Sequence, residues 1–341
     1  MWSATPKLSY AGVEALLLDP LVANRSMGRA AHTNLGFRSI ETVATVQEFA
    51  DALRRRPRNL VFCECRESDT RVCDMIQSLR QDATAYNPFV VIIATAWERT
   101  SGLVSRVVNS GADDLLLRPF SAEQLDRHIE AQVERRKGFV VTSDYVGPDR
   151  RGSTHRELNV IPFHPPNSLK LGIMETAKLE AARQQFDVDL RAARDWLNAE
   201  KLRCDALQIC VLFRLMEGNV ADLAGRPAKL SKMAALVGAV ERRVPSSQAE
   251  SAGVLCQSLL AALDGLATRA RGLDSISLPR QTALDLLHLF HPELSKAELF
   301  GRIEAIVALI RARRATTSTV QGLVSTSYDP GCSGRSSHTV R

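Results

Sequence analysis

The sequence predicts two architectures in one chain. Residues 10–137 read as an α/β domain built on a doubly wound, five-stranded parallel sheet, and residues 171–315 as an all-α helical bundle. Three observations carry this. The first 137 residues alternate short apolar runs with amphipathic segments five times, with short connections, as right-handed βαβ units do. Residues 138–170 break the alternation with Pro, Gly, Ser and basic residues, and read as a linker. Beyond them, apolar residues recur every three or four positions. A last stretch, 316–341, combines low periodicity with many small polar residues and reads as a disordered tail.

Each element has its own signature. "VEALLLD" (13–19) is a short buried strand, followed by a helix from about Asn24 to Leu35. "RSIETVA" (38–44) and "VQEFADALRRR" (46–56) form the next strand and helix, then "NLVFCE" (59–64) and Thr70–Leu79. "FVVIIATA" (89–96) is the most β-like run of the chain, rich in β-branched residues. A helix over "SGLVSRVVNSG", the strand "DLLLR" (114–118) and the helix 121–136 complete the set, with Ser121 and Gln124 as a capping box. In the second part, Leu179, Ala182, Phe186, Leu190, Ala193 and Leu197 share one helix face. Leu255, Leu259, Ala262 and Leu266 share another, and a last helix, capped by Ser295 and Glu298, turns Leu299, Ile303, Ile306 and Ile310 inward.

Composition bounds the function. A net charge of +6, from 44 basic and 38 acidic residues, permits contact with nucleic acid without demanding it. Aromatic content of 5% argues against stacking platforms for single strands. No apolar run suggests a membrane span or a signal peptide, so a cytoplasmic protein is expected. The seven cysteines include no C-x2-C pair, and read as reduced, buried small hydrophobes. In an extended segment Cys63 and Cys65 share one face and Glu64 points to the other. No Ser/His/Asp set, glycine-rich nucleotide loop or metal cluster is visible, so neither an enzyme nor a cofactor is expected.

Function in open parallel sheets gathers at the carboxyl ends of the strands, where this chain places Asp19, Glu64, Thr95 and Arg118. With "GADDLLLRPFS" (111–121), "VVIIATA", "RNLVFCE" and "LLLDP" in order and at matching spacing, the first 125 or so residues resemble the receiver domain of two-component response regulators. The resemblance implies a flavodoxin-like fold, protein partners in a signalling pathway, and aspartyl phosphorylation. That chemistry needs Mg²⁺ held by two acids after the first strand plus the acceptor, a Lys to neutralise the phosphoryl oxygens, a Thr to bond them and a switch aromatic.

Position by position, the chain departs from this pattern. Asp19 is one pocket acid, but Pro20 stands where the second should be. Glu64 stands at the acceptor position, Arg118 at the Lys position and Leu115 at the switch-aromatic position, while Thr95 matches. A carboxylate moved by one methylene is misplaced by more than 1 Å, and errors of that size cost about 100-fold in in-line transfer. The resemblance therefore implies a degenerate, phosphorylation-independent receiver, or pseudo-receiver, with only Asp19 and Glu64 as residual metal ligands. Two readings of Glu64 stay open: a permanent stand-in for the phosphoryl group, paired with Arg118, or a relic of a lost site.

Other signals are weaker. "KLSKMAALVGAVERRV" (229–244) has helix-turn-helix spacing at Ala234, Gly238 and Val244, but Pro245 would break the recognition helix. A DNA-binding regulator thus stands as an alternative, as does a receiver that still takes phosphate. "GPDRRGSTHR" (147–156) reads as a basic anchor of the linker, and His288 and His291 as terminal or partly buried histidines. The fourth helix carries apolar Leu103, Val104, Val107 and Val108, only some of which the sheet can bury; that face, or the long helix 172–200, is the expected interaction surface, for a partner or as a homodimer.

Overall fold

The computed structural model describes residues 8–150, 162–174, 176–217, 225–268 and 276–325. The chain divides into two units, Met1–Cys204 and Asp205–Arg341.

Five parallel strands, β1 (Glu14–Leu18), β2 (Ser39–Val43), β3 (Leu60–Glu64), β4 (Val91–Ala96) and β5 (Asp114–Leu117), form one sheet in the order β2-β1-β3-β4-β5. The helices between and after them are α1 (Val22–Asn34), α2 (Val46–Arg55), α3 (Arg71–Gln81), α4 (Ser101–Ser110) and α5 (Ala122–Glu134). Strand alternation divides the apolar residues between two cores. Leu16, Leu18, Val61, Cys63 and Cys65 pack with residues of α2, α3 and α4, while Ala15, Leu17, Leu60 and Phe62 pack with residues of α1 and α5. The cysteines of β3 are thus core packing, as expected. The expected capping box of Ser121 with Gln124 forms on α5, and α2 has one of its own, Thr45 with Glu48.

The fourth helix overturns one expectation. Leu103 and Val107 are fully buried in the sheet core, and Val104 and Val108 are half-buried. A helix over a parallel sheet turns its apolar stripe inward, and at 3.6 residues per turn Leu103 and Val107 share that stripe. They cannot form an interaction surface.

The expected linker is folded. β6 (Phe139–Val141) and β7 (Val146–Pro148) form an antiparallel hairpin, α6 (Ser168–Gly172) follows, and α7 (Thr176–Glu217) continues the unit as far as Cys204. The hairpin's Phe139, Val141 and Val146 are buried with Phe89 and with Leu190, Ala193 and Leu197 of α7. Phe163 stacks on Trp196, with centroids 4.2 Å apart.

Beneath this lies a buried charge cluster centred on Asp113. Arg80, fully buried, and Arg136 each donate to Asp113 at 2.8 Å, one to each carboxylate oxygen. The same guanidiniums donate to the backbone carbonyls of Gly111, Pro88, Val90 and Phe89, and both lie over the Phe139 ring, 5.3 and 4.9 Å from its centroid. Arg150 adds a bond to the Asp113 carbonyl at 3.1 Å; residues 151–156 of the expected basic anchor lie outside the described residues. Gly111 closes α4 in the left-handed region at φ 90°, and a Cβ there would meet the Val146 carbonyl oxygen at 2.3 Å.

The second unit is helical: Asp205–Glu217 of α7, then α8 (Arg226–Arg243), α9 (Ala249–Thr268), α10 (Ser277–Phe290) and α11 (Lys296–Ser325). Arg280 and Arg214 tie it together, pairing with Glu217 and Glu304. Residues 229–243 lie on one continuous helix, so the helix-turn-helix reading lacks its turn. By length and composition alone, Ser246–Thr268 could cross a membrane. Its buried residues, Ala252, Cys256, Leu259, Leu263 and Leu266, instead recur every three or four positions, on a helix that packs against both α8 and α10. That stripe is rotated from the expected one, since Leu255 and Ala262 are only half-buried. In α11 Leu299, Ile303 and Val307 are buried, while Ile306 and Ile310 are half-buried. Part of the expected tail, 316–325, is helical, and 326–341 lie outside the described residues. His288 sits in the last turn of α10 and His291 just beyond it, both partly buried as expected.

Removing the shared carboxylate should expose the weight of the Asp113 cluster. Asp113→Ala leaves two buried guanidiniums facing each other, and is expected to lower unfolding free energy by about 3–5 kcal/mol in urea titration.

Candidate functional site at the carboxyl ends of the strands

The strand register brings the expected residues together. Glu64 pairs with Thr95 across β3 and β4, Asp19 follows β1 directly, and the Arg118 N–H donates to the Ala96 carbonyl at 2.7 Å. Asp19 is positioned by the start of α1, which has no side-chain cap of its own. Its Oδ1 accepts from the Leu21 N–H at 2.9 Å and from the Asn24 amide at 3.5 Å. Arg25 clamps the same turn, donating to the carbonyls of Asp19 (2.6 Å) and Pro20 (3.0 Å).

Arg118 lies between the two acids. Its Nη2 is 3.1 Å from Asp19 Oδ2, its Nε is 3.1 Å from Glu64 Oε2, and its aligned hydrogen bond goes from Nη2 to Thr95 Oγ1 at 3.3 Å. The Thr95 hydroxyl donates to Glu64 Oε2 at 3.2 Å, and Arg66 stands 3.9 Å from Glu64 Oε1. Both carboxylates are fully buried. Burial pushes the Glu64 carboxyl up, against the Arg118 guanidinium, which pulls it down. The other side of the guanidinium meets the rings of Phe120 and Trp97, 5.5 and 5.8 Å from their centroids. Leu115 is half-buried against the core on the α2–α4 side.

A divalent cation does not fit these residues. The position between the two acids belongs to a guanidinium, and Pro20 brings no carboxylate. The thiols beside the site offer no alternative chemistry. Cys65 and Cys73, with Sγ atoms 3.9 Å apart, are buried; the Cys63 contact and burial push the Cys65 thiol up against an opposing effect of Cys73, and the Cys65 contact and burial push the Cys73 thiol up.

Four participants were missed by sequence reasoning: Arg66, Trp97, Phe120 and His32. Trp97 and Phe120 each follow a matched position by two residues, so an aromatic flanking an arginine was the available signal. His32 had no such signal. It is buried beneath the sheet, its Nδ1 lies 2.6 Å from the Gly28 carbonyl, and it packs edge-on to Phe62. Burial lowers its pKa to about 4, with Arg118 adding to the effect.

His32 therefore binds its proton more readily in the unfolded chain, so stability should fall as pH drops from 6.5 towards 4. The expected loss is about 3 kcal/mol, from roughly 1.4 kcal/mol per pKa unit. Denaturant titrations of wild type and His32→Gln across this range should show the variant with the flatter profile.

No protein-family model matches the chain. A probable chemotaxis protein CheY from Rhizobium etli is 24% identical over 119 residues, covering 35% of this chain and 91% of that protein. Among solved structures, the signal receiver domain of a two-component histidine kinase from Clostridium thermocellum gives a TM-score of 0.32 at 13% identity, covering 36% of this chain and 98% of that one. CheY4 of Vibrio cholerae gives 0.31 at 18% identity, covering 35% and 96%. The strand order, the residues gathered at the ends of β1, β3, β4 and β5, and the curated relative agree: the first part of this chain carries a CheY-like response-regulator receiver domain.

Proposed function

We propose that the chain is a two-component-type signalling regulator whose receiver domain works without taking a phosphoryl group. It is read as a cytoplasmic regulator rather than an enzyme, acting on a protein partner with the helical unit as its output module. The observation that carries this is the position of Arg118, 3.1 Å from both Asp19 and Glu64. A phosphoryl acceptor needs a metal where this guanidinium lies, and an acid where Pro20 stands. Arginine holds its charge at any accessible pH, so the site cannot be vacated by titrating that group.

The contacts of Glu64 favour the stand-in reading over the relic. Its Oε2 accepts from the Thr95 hydroxyl and lies 3.1 Å from the Arg118 guanidinium in an ion pair, at the positions of the Thr and Lys that would hold a phosphoryl oxygen in the resembled family. The continuous α8 counts against DNA reading through residues 229–244.

The full chain incubated with acetyl phosphate and Mg²⁺ is expected to keep its intact mass. One stoichiometric phosphoryl group would overturn the proposal. In the same assay the triple variant Pro20→Asp, Glu64→Asp, Arg118→Lys, which supplies the missing types, is expected to gain that group.

A further inference from the structure

In the helical unit, the first half of α8 and the last turns of α9 enclose a cleft of about 550 Å³. Small-molecule sites span roughly 300–1,000 Å³. The walls are mainly aliphatic: Leu230 and Ala234 come from α8, and Leu260, Leu263 and Leu266 from α9. A cation interrupts them. Arg226, the first residue of α8, lines the cleft with its Nε and Nη2 buried and, among the described residues, without a hydrogen-bond partner. Buried guanidinium N–H groups are almost always satisfied, and leaving a charge unpaired in an apolar setting is costly.

A second observation points the same way. α8 opens on Gly225 with no side-chain cap, and its first turn holds no acid, so among the described residues no side chain there offsets the positive end of the helix dipole. Asp264, the carboxylate among the lining residues, is on the exposed side of α9. Apolar walls thus converge on positive charge that the helix start reinforces.

We propose that this cleft binds an amphipathic anion: a slender apolar chain seated between α8 and α9, with a carboxylate or phosphate head on the Arg226 guanidinium. The head group supplies the missing acceptors through charge-assisted hydrogen bonds, and the apolar chain covers the leucines. A neutral amphiphile of the same length leaves the guanidinium's deficit in place, so the site discriminates by charge.

Isothermal titration of the full chain tests this with decanoate, decyl phosphate and 1-decanol. One saturable site per chain is expected for at least one of the anions, with the alcohol at least about tenfold weaker. Arg226→Gln should weaken the anion about tenfold or more while leaving helicity unchanged and the melting temperature no lower than wild type. Leu260→Trp, which fills the cleft and retains Arg226, should abolish binding. The proposal fails if neither anion saturates, if decanol binds as tightly as the anions, or if Arg226→Gln binds like wild type. Whichever anion binds more tightly assigns the head group.

Discussion

One guanidinium supplies the counter-charge at the carboxyl end of this sheet. Two carboxylates buried a few ångströms apart repel each other and lose their hydration, a penalty of several kcal/mol per ion even after relaxation. A receiver that takes phosphate answers that repulsion with an exchangeable metal. Here Arg118 answers it from within the chain, as an ion-pair partner of Asp19 and Glu64 at 3.1 Å and a hydrogen-bond donor to Thr95 at 3.3 Å. The ends of β1, β3, β4 and the residue after β5 are therefore joined by a tie that needs no ligand. The aromatic rings of Trp97 and Phe120 flank that tie, and Arg25 clamps the turn that carries Asp19.

The opposite end of the sheet uses the same physics for a different purpose. Asp113 sits before β5 and accepts from Arg80 and Arg136, which in turn satisfy carbonyls of the α3–β4 and α4–β5 connections. Because those guanidiniums also lie over Phe139, the hairpin β6–β7 is fixed to the sheet domain, and the first part of α7 covers the hairpin. The domain thus grows to Cys204 by adding structure away from the strand ends that carry Arg118.

Much of the sheet domain was legible because strand residues announce themselves twice, by apolar content and by pairing distance. Asp19, Glu64, Thr95 and Arg118 could be placed together from spacing alone, since parallel register leaves little freedom. The hairpin was not legible: its strands are three residues long, between Gly- and Pro-rich neighbours, and "FVV" is buried by partners distant in sequence, Phe89, residues of α7, and Arg80 and Arg136 over the Phe139 ring. Leu103 and Val107 were misread because an apolar helix face looks the same in sequence whether a sheet or a partner covers it. In α9, apolar residues surround most of the helix, so the stripe chosen by tertiary packing, Cys256–Leu259–Leu263, differs from Leu255–Leu259–Ala262 by a small rotation. His32 was silent because its role comes from burial against Phe62, which no local pattern encodes.

The central claim is that Arg118 replaces a metal as the permanent counter-charge of Asp19 and Glu64. Its most direct test is the pH dependence of unfolding free energy for Arg118→Met. Burial already pushes the Glu64 carboxyl up, and losing the guanidinium that pulls it down raises it further, so the folded variant binds more protons. The deficit relative to wild type should then be largest near neutral pH, about 3 kcal/mol, and shrink as pH falls and one carboxyl is protonated. A deficit that stays constant with pH, or none at all, would contradict the account.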